Sequence, residues 1–122
     1  MPAMNCTSDN DPTAEAPANL LRLGERGSDD ELFQDVLRRP GVRIERIVSH
    51  GHTTPPDRPY IQDWDEWVLI LAGAAELQLD DIGVRTLRTG DHILVPAGVP
   101  HRVTHTADPT IWLAIHMGEP LR

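Results

Sequence analysis

The stretch GDHILVPAGVPHRVTH, residues 90–105, constrains the fold more than any other part of this sequence. Gly90 suits a tight turn into a strand, because glycine accepts the left-handed backbone conformations that such turns require. Pro96 and Gly98 favour a reversal of the chain before a second strand begins at His101. The stretch therefore predicts two short strands, a tight connection between them, and a histidine at the start of the second strand.

Strand geometry predicts where the side chains after this connection point. Side chains of a β-strand alternate between its two faces, so His101, Val103 and His105 are predicted to share one face. If that face looks into the interior of the protein, two imidazole rings project into the same cavity.

The chain after Gly41 has the pattern of an all-β protein. Hydrophobic residues recur there with a period of two and turn-forming residues recur about every ten positions, which is typical of a barrel or sandwich. The strand that begins at Glu66 has two apolar faces, so we expect it to be buried on both sides. The other predicted strands begin at Val42 and lie in AAELQLD, VRTLR, HILVP, HRVTH and TIWLAIH.

The N-terminal region has a different composition. Residues 1–18 are polar, lack hydrophobic periodicity and predict a disordered tail. In SDDELFQDVLRR, Ser28 can cap a helix and apolar residues follow at helical spacing, which predicts a short helix that ends before Pro40. We expect this helix to cover an open end of the barrel or to pack on a neighbouring subunit. The predicted organisation is a tail over 1–18, an extension with the short helix over 19–40, and a β-barrel over 41–122.

Composition excludes several classes of function. The net charge of -8, without a basic stripe, argues against nucleic-acid binding, whose affinity rests on clustered positive charge. All 11 basic residues are arginine, which excludes Schiff-base chemistry on a lysine. The only cysteine, Cys6, supports neither an intramolecular disulfide nor a thiolate zinc site. No segment is typical of a transmembrane helix or a signal peptide, so we expect a cytoplasmic protein that does not bind membranes.

The stretch from Gly90 also has the spacing of a motif shared by a family of small β-barrel proteins. That motif is Gly, five residues, Pro, any residue, Gly, two residues, His, three residues and Asn. It matches here at Gly90, Pro96, Gly98 and His101, whereas His105 stands in place of Asn. On this motif, residues 42–116 resemble a single cupin domain, which implies an all-β barrel of the double-stranded β-helix, or jelly-roll, type.

The other motif of the cupin family is matched only in its second half. It ends in Glu, six residues and Gly, and Glu66 with Gly73 has that spacing. The pair of histidines that precedes this Glu in the family corresponds to Tyr60 and Gln62 here.

The resemblance implies a divalent transition metal, such as Fe, Mn, Ni, Zn or Cu, held by His101 and Glu66. Imidazole nitrogen and carboxylate oxygen are ligands that such ions accept. Gln62 and His52 are the candidates that complete the ligand set, and His50 is a further one. An amide oxygen is a weak ligand, so Gln62 in place of histidine predicts reduced affinity or an altered choice of metal. The alternatives are that His50 and His52 form a solvated loop pair and that Gln62 makes hydrogen bonds at the cavity rim.

For three other polar residues, the sequence leaves the location in the fold open. His92 is expected on the exterior or at the rim, and His116 either lines the cavity or faces a subunit interface. Arg46 interrupts an apolar face, so it needs a carboxylate or an anionic ligand, or forms a salt bridge at the barrel edge.

Two functions from different classes fit these residues. The first is a small metal-dependent enzyme, dioxygenase-like or isomerase-like, acting on a small oxygen-bearing molecule, with His105 or Tyr60 as acid, base or orienting group. The second is a barrel that binds a small molecule or a metal without catalysis. Under both hypotheses the expected partners are a small-molecule ligand and a second copy of the chain, as the apolar strand from Glu66 and the pairing habit of cupin barrels favour a homodimer.

Overall fold

The computed structural model describes residues 18–24, 29–80 and 82–120, and these residues form eight strands in two sheets. The prediction of a disordered tail falls almost entirely on residues 1–17, which lie outside the described residues. No helix within the described ranges could span a membrane. The strands are β1 (Leu32–Arg39), β2 (Val42–Ser49), β3 (Asp65–Ala72), β4 (Ala74–Leu79), β5 (Gly83–Arg88), β6 (His92–Val95), β7 (His101–Thr106) and β8 (Thr110–Met117).

The two sheets enclose one apolar core. The five-stranded sheet has the order β1-β2-β8-β3-β6, and the three-stranded sheet has the order β5-β4-β7. The core contains Val68 and Ile70 from the first sheet and Leu77, Leu79 and Leu87 from the second, so the sheets pack face to face. The prediction of an all-β fold is confirmed, and β2 to β8 coincide with the segments that the alternating pattern assigned to strands.

The predicted N-terminal helix is wrong, because residues Leu32–Arg39 form strand β1. Pro40 and Gly41 do not end a helix but form a two-residue connection that pairs Arg39 with Val42 in an antiparallel hairpin. Proline fixes its own φ near -65° and Gly41 takes a φ of 83°, which together suit such a turn. Backbone hydrogen bonding to β2 therefore outweighs the helical spacing of the apolar residues. A β-bulge at Val36 shifts the register of the two strands by one residue.

The outer face of the five-stranded sheet is apolar and only partly covered. One row of paired residues crosses all five strands, and its members are Leu37, Ile44, Ile115, Trp67 and Leu94. Within one chain β3 is fully buried only on its core side, at Val68 and Ile70, whereas Trp67, on the opposite face, keeps partial exposure.

Arg46 lies on this outer face and holds the N-terminal segment against it. The side chain is buried, and its guanidinium donates to the backbone carbonyl oxygens of Leu20 and Arg22 and to the side-chain oxygen of Gln34. The charge is thus satisfied by carbonyl oxygens, and neither the carboxylate partner nor the edge salt bridge expected from the sequence is found among these contacts.

Candidate functional site

A cavity of about 260 Å³ lies between the two sheets. It is formed by the inward-facing side chains of β1, β2, β3, β4, β7 and β8, together with the segment before β1 and the loop between β2 and β3. Its apolar lining consists of Phe33, Ile47, Val68, Leu77, Val103 and Trp112. A concave, mostly apolar site with a few polar groups is the usual form of a small-molecule site.

Glu66 on β3 and His101 on β7 face each other in this cavity. Nε2 of His101 lies 4.0 Å from Oε1 of Glu66, and His101 is 6% exposed. Nδ1 of His101 lies 3.1 Å from the carbonyl oxygen of Val99, which can only accept a hydrogen bond. The proton of the neutral ring is therefore on Nδ1, and the lone pair of Nε2 is directed into the cavity.

Tyr60 and Gln62, which stand where the family has two histidines, both line the cavity. Nε2 of Gln62 donates a hydrogen bond of 2.7 Å to Oε1 of Glu66, and its own backbone carbonyl accepts one from the backbone N–H of Gly98. Tyr60 and His101 exchange two backbone hydrogen bonds, of 2.8 and 2.9 Å, and their ring centroids are 5.7 Å apart. Gln62 thus orients the carboxylate, and Tyr60 covers the imidazole.

The pKa of the Tyr60 hydroxyl is raised, mainly by burial and then by the negative charges of Glu31, Glu66 and Glu45. The phenol is protonated at neutral pH with or without this shift, and although Tyr60 is half exposed, its hydroxyl can donate a hydrogen bond to a bound molecule.

His116 is a cavity residue that the sequence left unassigned. The indole N–H of Trp64 donates to Nδ1 of His116 over 3.0 Å, so Nδ1 has no proton in the neutral ring. The ring proton is then on Nε2, which donates to Oε1 of Glu45 over 3.0 Å. Both ring nitrogens are satisfied by the protein. The alternation of His116 with the buried Trp112 and Ala114 along β8 was the available sequence signal.

The two histidines after β2 separate in the structure. His52 lines the cavity, but its Nδ1 accepts a hydrogen bond of 2.9 Å from the backbone N–H of His50, which places the ring proton on Nε2. His50 does not line the cavity, and its Nδ1 lies 2.7 Å from Oδ1 of Asp108.

His105 does not share a face with His101, so that prediction is wrong. Glu76 pairs with His105 whereas Leu77 pairs with Val103, which leaves Thr104 as an extra residue in β7. This bulge reverses the alternation, and the side chain of His105 is exposed on the outer face of the barrel. His92 is also exposed on the exterior, where its Nδ1 accepts a hydrogen bond from the indole of Trp67.

The described residues do not fit a transition metal held by this chain alone. His101 offers a free imidazole nitrogen and Glu66 a carboxylate, but the hydrogen bonds of His52 and His116 leave a proton on the nitrogen that a metal would need. Gln62 presents its amide N–H to Glu66. Within the described ranges, no three His, Cys, Asp or Glu side chains converge as a metal site.

Two carboxylates at the cavity were not identified from the sequence. Glu31, just before β1, accepts a hydrogen bond of 2.5 Å from the hydroxyl of Ser49, and Ser49 in turn accepts one from the indole of Trp112. Glu45 lies 3.3 Å from the guanidinium of Arg43. Glu31 was missed because it was assigned to a helix and not to the segment that enters a barrel.

These features are those of a cupin, and the chain belongs to the cupin family, since a sequence profile of the cupin domain matches residues 44–116. The structure of a proposed mannose-6-phosphate isomerase from Ralstonia eutropha JMP134 is 41% identical, with a TM-score of 0.77 over 84% of this chain and 97% of that one. A cupin superfamily protein from Desulfitobacterium hafniense DCB-2 has the same fold, with 22% identity and a TM-score of 0.65 over 76% of this chain and 82% of that one.

One curated relative is longer than this chain. Protein SchB of Streptomyces halstedii is 41% identical over 99 residues, which are 81% of this chain and 62% of SchB. The chain therefore spans less than two thirds of the length of SchB.

Proposed function

We propose that this cupin binds a small oxygen-bearing molecule in the barrel and moves a proton on it, as an isomerase does, with His101 as the base. The observation that carries the proposal is the position of His101 in the cavity, with Nδ1 3.1 Å from the carbonyl oxygen of Val99 and Nε2 4.0 Å from Oε1 of Glu66. A carbon-bound proton next to a carbonyl group is the kind of proton that such a base removes.

Three other cavity residues, Glu66, Tyr60 and Gln62, have parts that follow from their chemistry. When Nε2 of His101 takes up a proton, the ring becomes a cation, and the carboxylate of Glu66 stabilises it by charge attraction. The protonated phenol of Tyr60 donates to the oxygen on which negative charge develops. Gln62 orients Glu66 through its amide N–H. The catalytic role that the sequence offered to His105 or Tyr60 is thus proposed for Tyr60.

Solvent exchange tests this function on a range of carbonyl compounds at once. A panel of hydroxyketones, diketones and unphosphorylated sugars is incubated with the protein in D₂O, and loss of the C–H signal next to the carbonyl is followed by NMR. We expect exchange with at least one compound and a loss of about a hundredfold or more in His101→Gln. His105→Gln is the matched control, because it makes the same change on the same strand outside the cavity. Exchange that is equal in both variants, or absent with every compound, contradicts the proposal and favours a binding protein without catalysis.

The name of the structure from Ralstonia eutropha supports an isomerase-like reaction and not the phosphorylated substrate that the name contains. Among the described residues that line this cavity, none is arginine, and the chain has no lysine. The name of that structure therefore supports testing an isomerase-like reaction, but it does not support including sugar phosphates in the panel.

A metal-dependent enzyme, dioxygenase-like or isomerase-like, is the second candidate. It is favoured by the same two residues, because a carboxylate and a free imidazole nitrogen are both metal ligands. Metal content after purification distinguishes the two candidates. A stoichiometric metal that His101→Gln removes, together with oxygen uptake on addition of a catechol or diketone, favours this second function.

We also propose that the chain forms a homodimer through the outer face of the five-stranded sheet. The row from Leu37 to Leu94 crosses all five strands, and Leu94 is 45% exposed. Contiguous apolar patches of this kind on small proteins mark interaction sites, and a twofold axis lets one patch cover its own copy.

A further inference from the structure

We infer that the cavity selects against anions, and that its ligand is a neutral or positively charged molecule without phosphate or carboxylate groups. The inference rests on the proposed function in placing the ligand between Glu66 and His101. It adds the chemical class of the ligand, which the fold and the acid–base pair leave open.

The charge of the cavity wall is the first argument. Glu31, Glu45 and Glu66 line the cavity, and none of the described lining residues is an arginine. Arg43 lies 3.3 Å from Glu45 and offsets that charge, but it also binds Asp35 and Glu119, at 3.2 and 2.7 Å. Its guanidinium is therefore committed to three carboxylates and is not directed at a ligand.

The other two carboxylates have only neutral donors as hydrogen-bond partners within the described chain. Glu31 is bound by the hydroxyl of Ser49 and Glu66 by the amide of Gln62. Neither partner carries a charge, so two negative charges act on whatever occupies the cavity. These charges repel a second negative charge brought next to them, whereas they attract a positive charge.

A buried polar atom directed into the same space indicates that the cavity is a binding site and not only an acidic cluster. His101 is 6% exposed, and its Nε2 makes no hydrogen bond to any described residue. Aromatic rings of Phe33, Tyr60 and Trp112 line the same cavity. A cation that contacts the face of one of these rings is attracted by it, as it is by the carboxylates.

The raised pKa of the Tyr60 hydroxyl supports this picture. After burial, the causes are the charges of Glu31, Glu66 and Glu45, so the hydroxyl of a cavity residue already experiences the field that a ligand would meet.

Three probes of similar size and different charge test the inference: benzylamine, benzyl alcohol and benzoate. Their dissociation constants are measured at pH 7 by ligand-observed NMR on the full chain. We expect benzylamine to bind most tightly and benzoate most weakly, and Glu31→Gln to weaken benzylamine by about five- to tenfold while strengthening benzoate. Asp80→Asn removes the same charge from an exposed turn outside the cavity and leaves the order and the affinities unchanged.

Two results overturn the inference: benzoate binding as tightly as benzylamine, or none of the three probes binding at millimolar concentration. Glu45→Gln provides a second variant if Glu31→Gln does not fold. Probe binding does not depend on proton transfer, so a failure here is distinct from a failure of the exchange assay. If C–H exchange occurs but the three probes bind without charge selectivity, only the inferred class of ligand is contradicted. If the probes bind selectively but no exchange occurs, only the catalytic role of His101 is contradicted.

Discussion

His101 and Glu66 face each other across the barrel with 4.0 Å between Nε2 and Oε1, a distance too long for a hydrogen bond. Both groups line the cavity, and a ligand atom beside the pair can contact both. The bond from His101 Nδ1 to Val99 and the bond from Gln62 to Glu66 fix the two side chains and leave Nε2 of the imidazole open to a ligand.

The first prediction concerns metal content. We expect protein purified from metal-supplemented medium to contain substoichiometric metal, because His52 and His116 use their ring nitrogens in hydrogen bonds to the protein. The double change Tyr60→His with Gln62→His supplies two imidazoles next to Glu66 and His101, and we expect about one metal ion per chain as a result. Mass spectrometry of the native protein measures both values.

The control for metal content is His101→Gln in the double-variant background, which is expected to remove the gained metal. Stoichiometric metal in the unchanged protein contradicts the prediction and supports the metal-dependent enzyme.

The second prediction concerns Tyr60, the only tyrosine of the chain, whose ionisation is therefore read directly from the absorbance of tyrosinate. We expect its pKa to lie above the ordinary value of 10.0, and Glu31→Gln to lower it without restoring that value, because burial is the larger cause. The neutral form is favoured in the folded state, so the free energy of unfolding falls as the pH rises from the ordinary pKa through the raised one. A measured pKa of Tyr60 at or below 10.0 contradicts this prediction.

The third prediction uses two glycines to separate backbone strain from close packing. Gly73 has a φ of 89°, and a Cβ built on it would lie 2.6 Å from the carbonyl oxygen of Pro109 and 2.9 Å from Cα of Thr110. Gly83 has a φ of 88° and nothing within 4 Å of the same position. We expect Gly83→Ala to lower the free energy of unfolding by about 1–2 kcal/mol, and Gly73→Ala by about 3 kcal/mol or more.

Urea denaturation of both variants measures this difference. Equal losses would mean that the contact with the segment before β8 relaxes at little cost, and that only the backbone conformation requires glycine at position 73.

The fourth prediction concerns the proposed dimer. Leu94→Glu introduces a charge into the apolar row on the outer face, next to Trp67, and we expect it to convert a dimer into a monomer. Val84→Glu is the control, because Val84 is 53% exposed but belongs to the three-stranded sheet. Light scattering coupled to size-exclusion chromatography gives the mass of each variant. A monomeric unchanged protein, or a dimer that survives Leu94→Glu, excludes this face as the interface.

The strands β2 to β8 were predictable because their causes are local. Gly90 and Gly98 take φ values of 91° and 81°, as the tight turns require, and apolar alternation between such turns identifies a strand even when its partner strands are unknown. The convergence of Glu66 and His101 on one cavity followed from the same alternation and from the resemblance to the cupin motifs.

The sequence by itself determined an all-β barrel with a carboxylate and an imidazole facing its interior, because turn chemistry and alternation depend on adjacent residues. The folded structure decided the rest, because strand pairing and hydrogen bonds that form only on folding set it. Pairing with β2 made a strand of β1, the bulge at Thr104 moved His105 outside, and bonds from Trp64 and His50 fixed the protons of His116 and His52. Trp64 lies 52 residues from His116, and β7 pairs with a strand that is not its neighbour in sequence, so no local pattern could reveal these partners.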